Sequence, residues 1–236
     1  MAHSFGVVED KLREAEFFLD RLRTSDPLSF DAQCYFSAFV SAARSVTLAL
    51  QRSLSGVDGF DSWYGIARDQ LKTDPLAAFF VEVRNDVVHT GTNPLNRVTL
   101  EHLREHLSGQ LHQQKRSHVL ILPDPDGADS TVLVDAVRVS ALYFTSLVSV
   151  IFDCYQRFKR VVDPRWHYTE ENFDGIGKAL EDAVAELGFP PAWAACSPAR
   201  TDAWRVLRSQ QPQCQINDLF QKYLGRQITG PDNQEP

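Results

Sequence analysis

Apolar residues recur through positions 6–23 at Val7, Val8, Leu12, Ala15, Phe18, Leu19 and Leu22. That 3.6-residue period predicts an amphipathic helix. Asp26 before Pro27, in "SDPLSF", predicts a new helix start with an aspartate cap and proline in the first helical position, and Asp74–Pro75 in "TDPLAAFF" repeats the device. Between them runs "DAQCYFSAFVSAARSVTLALQRSL", free of Gly and Pro and apolar or small around most of its circumference. It predicts a central, buried helix. A shorter helix is expected at 59–71, another at 75–89 closed by Thr90 and Gly91, and another at 97–113.

The pattern changes at "HVLILPDPDGADSTVLVDAV", where two β-branched runs flank a Pro-Asp-Pro-Asp-Gly turn and predict a β-hairpin. "VRVSALYFTSLVSVIFDCYQRFKRVV" then resumes as a long, largely buried helix. Residues 163–236 break into shorter pieces, with helices from about Thr169, from about Ser197 with Pro198 in the first turn, and from about Gln215, before the polar tail "GPDNQEP". The organisation expected is a helical domain over 1–162, with a hairpin insertion around 118–135, and a small helical C-terminal extension over 163–236.

Composition narrows the function classes. A chain of 236 residues with 43% apolar content can build a sizeable core. Its formal charge of −7 argues against a broad basic surface for duplex DNA, because such binding draws on phosphate neutralisation. No uncharged apolar stretch reaches the roughly 18 residues of a membrane span, and "MAHSFGVVEDKLRE" lacks the pattern of a signal peptide, so a cytoplasmic protein without a membrane partner is expected. Cys34, Cys154, Cys196 and Cys214 stand singly, with no Cys-x-x-Cys pair. They read as buried free thiols.

The segment "RNDVVHTG" (84–91) carries the candidate chemistry. On the 75–89 helix, Leu76, Phe80, Val83 and Val87 form one stripe; Ala77, Val81, Arg84 and Val88 form a second, apolar except at the arginine. One stripe suits the protein's own core and the other a partner. Asn85 and His89 are one helical turn apart, with Arg84 long enough to converge on them. Arginine followed by histidine at a comparable spacing also occurs at Arg97–His102 and Arg160–His167, so spacing does not choose among the three. Context does: Asn85 follows Arg84 directly, the pair closes a strongly apolar helix, and upstream lie an apolar helix "AEFFLDRL" and the Ser/Ala-rich "YFSAFVSAARSV".

In these features the chain resembles the HEPN superfamily of helical ribonucleases and toxin-like proteins, over roughly residues 6–110. The resemblance implies an antiparallel helical bundle that homodimerises, bringing two Arg-x-x-x-x-His motifs into one composite cleft. There His89 would act as general acid or base in attack of a 2′-hydroxyl of single-stranded RNA, since an imidazole can titrate near neutral pH. Arg84 would stabilise the charge developing on phosphorus and Asn85 would orient one or the other. It implies a metal-independent endoribonuclease needing no cofactor, in a toxin, stress or phage-defence setting with an antitoxin or regulatory protein as a further partner. Gly91 stands where members modified by nucleotidyltransferases carry a tyrosine, which sets that route of regulation aside. The alternative is an inactive module of the same fold that binds a protein or ligand.

Other constellations compete. His102, Glu105 and His106 follow the His-x-x-Glu-His order of inverted zinc peptidases, with Glu181 as a conceivable third ligand, but nothing else matches those enzymes, so no metal is expected. "FDGIGKAL" lacks the full spacing of a phosphate-binding loop and reads as a helix start. Arg157, Lys159, Arg160, Arg165, Trp166, His167 and Tyr168 interleave cations and aromatics. Arg157, Lys159, Arg160 and Trp166 form a candidate single-strand RNA surface. Arg44, inside the central helix beside Ser41 and Ser45, is expected to pair with an acidic neighbour.

Overall fold

The computed structural model describes residues 5–27, 29–96, 118–123, 131–196, 200–211 and 215–231. It is mainly helical. The chain forms α1 (Gly6–Thr24), α2 (Phe30–Leu54), α3 (Phe60–Thr73) and α4 (Pro75–Thr90), then strands β1 (Val119–Pro123) and β2 (Thr131–Asp135). There follow α5 (Ala136–Val162), α6 (Pro164–His167), α7 (Glu170–Gly175), α8 (Leu180–Glu186), α9 (Arg200–Ser209) and α10 (Asn217–Leu224). The helix expected at 97–113 lies outside the described residues, as does the hairpin turn.

The chain divides into two compact units, residues 10–147 and residues 1–9 with 148–236. The division therefore falls inside α5, not at its end as the sequence pattern suggested. A 27-residue helix spells one continuous apolar signal, and nothing in that signal marks where its surroundings change. α5 is also long and apolar enough, by length and composition alone, to cross a membrane, with a window of mean hydropathy 1.5. Much of it is core: Phe144, Leu147, Val148 and Ile151 are all buried.

In the unit spanning 10–147, α2 supplies much of the core, and α4 packs against both α2 and α3. Phe36, Phe39, Val40, Ala43, Val46 and Leu50 are buried, which is why α2 reads as apolar on nearly every side. α4 docks on it through Phe80, whose ring sits 6.0 Å from Phe39 and stacks on Tyr143 of α5 at 4.5 Å, nearly parallel. α4 starts as its Asp-Pro pair predicts: Asp74 Oδ1 accepts from Leu76 N at 2.8 Å with proline in the first turn. The first Asp-Pro pair behaves differently. α2 begins at Phe30 with Ser29 as its cap, accepting from Ala32 N at 3.1 Å, and Asp26–Pro27 form a preceding turn. Ser29 is as good a cap as Asp26, and a backbone turn in which Ser29 N donates to the Asp26 carbonyl precedes the helix.

The predicted hairpin is present. β1 and β2 pair antiparallel from Val119 opposite Asp135 to Pro123 opposite Thr131, and Ala136 N donates to the His118 carbonyl to continue the pairing into α5. His118 itself is buried, 3.2 Å from Ser25 Oγ at the end of α1.

The second unit is built of short helices. Tyr168, Phe173, Leu180, Ala183, Val184, Ala203 and Trp204 make one of its buried clusters. A second packs Tyr155 against Phe5 and Phe220.

Candidate functional site

α4 buries Phe80 and Val83 of the first stripe together with Ala77, which starts the second, while Val81 and Val88 of the second remain 36% and 50% exposed. The helix ends as predicted at Gly91, whose φ of +68° is the left-handed conformation that glycine tolerates best. The segment beyond is held to α2: Asn93 Nδ2 donates to the Gln33 carbonyl at 2.9 Å and to Ser37 Oγ at 3.0 Å. The end of α4 is thereby fixed in position.

The three candidate residues sit at that end. Arg84 Nη1 donates to Asn85 Oδ1 at 3.2 Å, so the first two are in contact. His89 is exposed one turn further on, and no hydrogen bond or ion pair to its ring is found among the described residues. A cation, an amide and an imidazole on a helix end, facing solvent beside exposed valines, can bind an anionic group or meet a partner surface.

The second cation-rich segment is occupied with itself. Trp166 is buried, and Lys159 Nζ lies 3.7 Å from its ring centre. Arg160 pairs with Glu171, and Arg157 stands over Phe158. The indole offers no open face for a base to stack on. His167 Nδ1 lies 3.0 Å from the Arg160 carbonyl and its Nε2 lies 3.0 Å from Glu186 Oε1. Next to it is a group the sequence reading passed over. Asp163 is fully buried; Tyr155 donates its hydroxyl to Asp163 Oδ2, and Arg165 Nη2 donates to the same oxygen at 2.7 Å. Those bonds hold the Arg165 guanidinium even higher than an ordinary arginine. The available signal was "VDPR", a further Asp-Pro pair, with Asp163 Oδ1 accepting from Arg165 N at 2.9 Å.

Two expectations about single residues are corrected. Arg44 has no acidic partner among the described residues; its Nη1 donates to Thr47 Oγ1 at 3.1 Å. Helical periodicity placed Arg44 among apolar neighbours but not which side chains of other helices face it. Cys34 is exposed, whereas Cys154 is buried and its thiol is pushed up to about 12 by burial. A cysteine on α2 obeys that helix's geometry, and position 34 falls on its outer face. The candidate zinc ligands His102, Glu105 and His106 lie outside the described residues. Glu181 is exposed, and among the described residues no three His, Cys, Asp or Glu side chains converge as metal ligands.

Comparison with known families decides the kinship. The family model of bacteriophage lambda protein ea47 matches residues 21–154, more than half of the 236-residue chain. The chain belongs to that family. The match runs from the end of α1 to within α5, and so contains the whole of α2, α3, α4 and the hairpin. It overturns the resemblance to HEPN proteins, for which no family match is found. The features behind that resemblance were of low information: an arginine and a histidine five apart occur at both Arg84–His89 and Arg97–His102, and small or apolar helices are what any buried helical core displays. No curated protein and no solved structure matches the chain.

Proposed function

We propose that the protein is an interaction module that pairs with a second copy of itself through the outer stripe of α4. The observation behind this reading is the division of one helix into two faces, with Phe80 and Val83 buried and Val81 and Val88 open. Apolar side chains aligned on a rigid helix are a common basis for a two-fold interface, where the same patch serves both copies. Sedimentation at a few tens of micromolar is the test. A dimer is expected for the wild type and a monomer for Val88→Asp, since a carboxylate buried without a partner opposes association. A monomeric wild type overturns the reading. The free thiols of Cys34 and Cys154 suit a reducing compartment, and we place the function in the cytoplasm.

A second reading is favoured by the Arg84–Asn85 contact beside the open His89. In it the paired helices form a metal-independent endoribonuclease for single-stranded RNA, with His89 moving the proton of the 2′-hydroxyl and Arg84 holding the phosphorane. RNA cut in EDTA to leave cyclic phosphate ends supports it. RNA left intact from about pH 6 to about pH 9 leaves the interaction module alone.

A further inference from the structure

The junction of α1 and α2 encloses a cavity of about 270 Å³ that neither reading of α4 uses. It is lined by Arg21 and Ser25 at the end of α1, Asp26 and Ser29 in the turn, and Asp31 and Tyr35 in the first two turns of α2. Each of these side chains carries a polar or charged group. The volume falls below the roughly 300–1,000 Å³ of pockets for drug-sized molecules, so the cavity suits a ligand of few atoms held by polar contacts.

Part of the lining is committed to the fold. Ser25 Oγ donates to the Leu22 carbonyl at 2.9 Å and lies 3.2 Å from Nε2 of the buried His118. Ser29 Oγ donates to the Asp26 carbonyl at 2.7 Å and accepts from Ala32 N. These bonds fix the turn and with it the shape of the cavity.

Three lining groups are not committed. The Arg21 guanidinium rests over the Phe17 ring, 5.1 Å from its centre, and has no carboxylate partner among the described residues. The Asp31 carboxylate and the Tyr35 hydroxyl form no hydrogen bond or ion pair among the described residues. Arg21 and Asp31 therefore carry opposite charges on one cavity without pairing with each other. Opposite charges held apart at one site are complementary to a molecule that bears both signs. A simple anion would meet the carboxylates of Asp26 and Asp31, and a simple cation would meet the guanidinium.

We propose that this cavity binds a small zwitterion of the free amino-acid class, its carboxylate on the Arg21 guanidinium, its ammonium on Asp31, and the Tyr35 hydroxyl as a further hydrogen-bonding group. The forked guanidinium matches a carboxylate in a bidentate manner. The site uses none of the α4 residues and stands or falls separately from the interface.

The test is isothermal titration calorimetry of the full-length protein near neutral pH with glycine, L-serine and L-glutamine, at ionic strength held constant with sodium chloride. Sodium acetate and methylammonium chloride serve as the singly charged halves. At least one amino acid should bind with a Kd of about 1–10 mM, and each half should bind at least about tenfold more weakly. Arg21→Gln and Asp31→Asn should each weaken amino-acid binding at least about tenfold. Both side chains are exposed, so the melting temperature should hardly move. Arg68→Gln, which removes a cation outside the cavity, should bind as the wild type does. The proposal is overturned if none of the three amino acids binds, if acetate or methylammonium binds as tightly as they do, or if either cavity variant retains wild-type affinity.

Discussion

At the end of α4 and again at the end of α5, the chain carries an arginine with a histidine at most seven residues beyond it, and the fold treats the two stretches in opposite ways. At the end of α4, Arg84 touches its neighbour Asn85 and His89 faces solvent. At the end of α5, Arg160 pairs with Glu171 while the His167 ring is held between the Arg160 carbonyl and Glu186. The difference lies in the path of the chain beyond each histidine. Gly91 ends α4, and among the described residues none forms a hydrogen bond or ion pair with the His89 ring. Beyond His167 the chain doubles back through α7 and α8, which bring Glu171 and Glu186 onto the same residues. A spacing in sequence states which side chains are within reach, and the chain that returns over them decides whether they are free.

If the second stretch is structural and the first is open, substitutions should separate them. Asp163→Ala should have the largest effect, a loss of about 3 kcal/mol or more in urea unfolding, because it strands the Arg165 charge and the Tyr155 hydroxyl in a buried site. An unchanged midpoint would show that water replaces the carboxylate there. His167→Ala should cost about 1–3 kcal/mol through two lost hydrogen bonds, whereas His89→Ala should stay within about 0.5 kcal/mol. Equal losses at the two histidines, read by thermal melting, would erase the contrast.

The smallest effect concerns a third histidine, His118, and appears as a slope with pH. Burial lowers its pKa from the ordinary 6.5, partly offset by Asp135 and Asp26. The unfolded chain then binds more protons than the folded one. Stability is therefore full above pH 6.5 and declines as the pH falls from there through the folded pKa. His118→Gln should flatten that slope in urea midpoints taken between about pH 5 and about pH 8. A slope that persists in the variant would assign it to other groups.

Much of the local structure was legible in the sequence. The period of Val8, Leu12, Ala15, Leu19 and Leu22 predicted α1, and all five are buried. Asp74–Pro75 and Gly91 bounded α4 to within a residue, since caps and left-handed glycines act on their own few neighbours. α8 begins at Leu180, where "FDGIGKAL" read as a helix start, but α6 was not foreseen. A helix of four residues is too short to show a period, and it holds through packing around Trp166. The candidate site was legible as a cluster on one helix end, but its kinship was misread, because a motif of two residues and a gap recurs by chance.

By itself the sequence determined where helices and the hairpin form, where most of them begin and end, and which stripe of α1 turns inward. These depend on periodicity, capping and turn residues, all set within a few positions. The tertiary structure alone decided the rest: that Arg44 meets Thr47 and no carboxylate among the described residues, that Trp166 lies under Lys159, that Asp163 is enclosed with Tyr155 and Arg165, and that Val88 is left uncovered. Each depends on which elements come together on folding and which do not. Periodicity assigns a residue to a face, and only packing determines what that face touches.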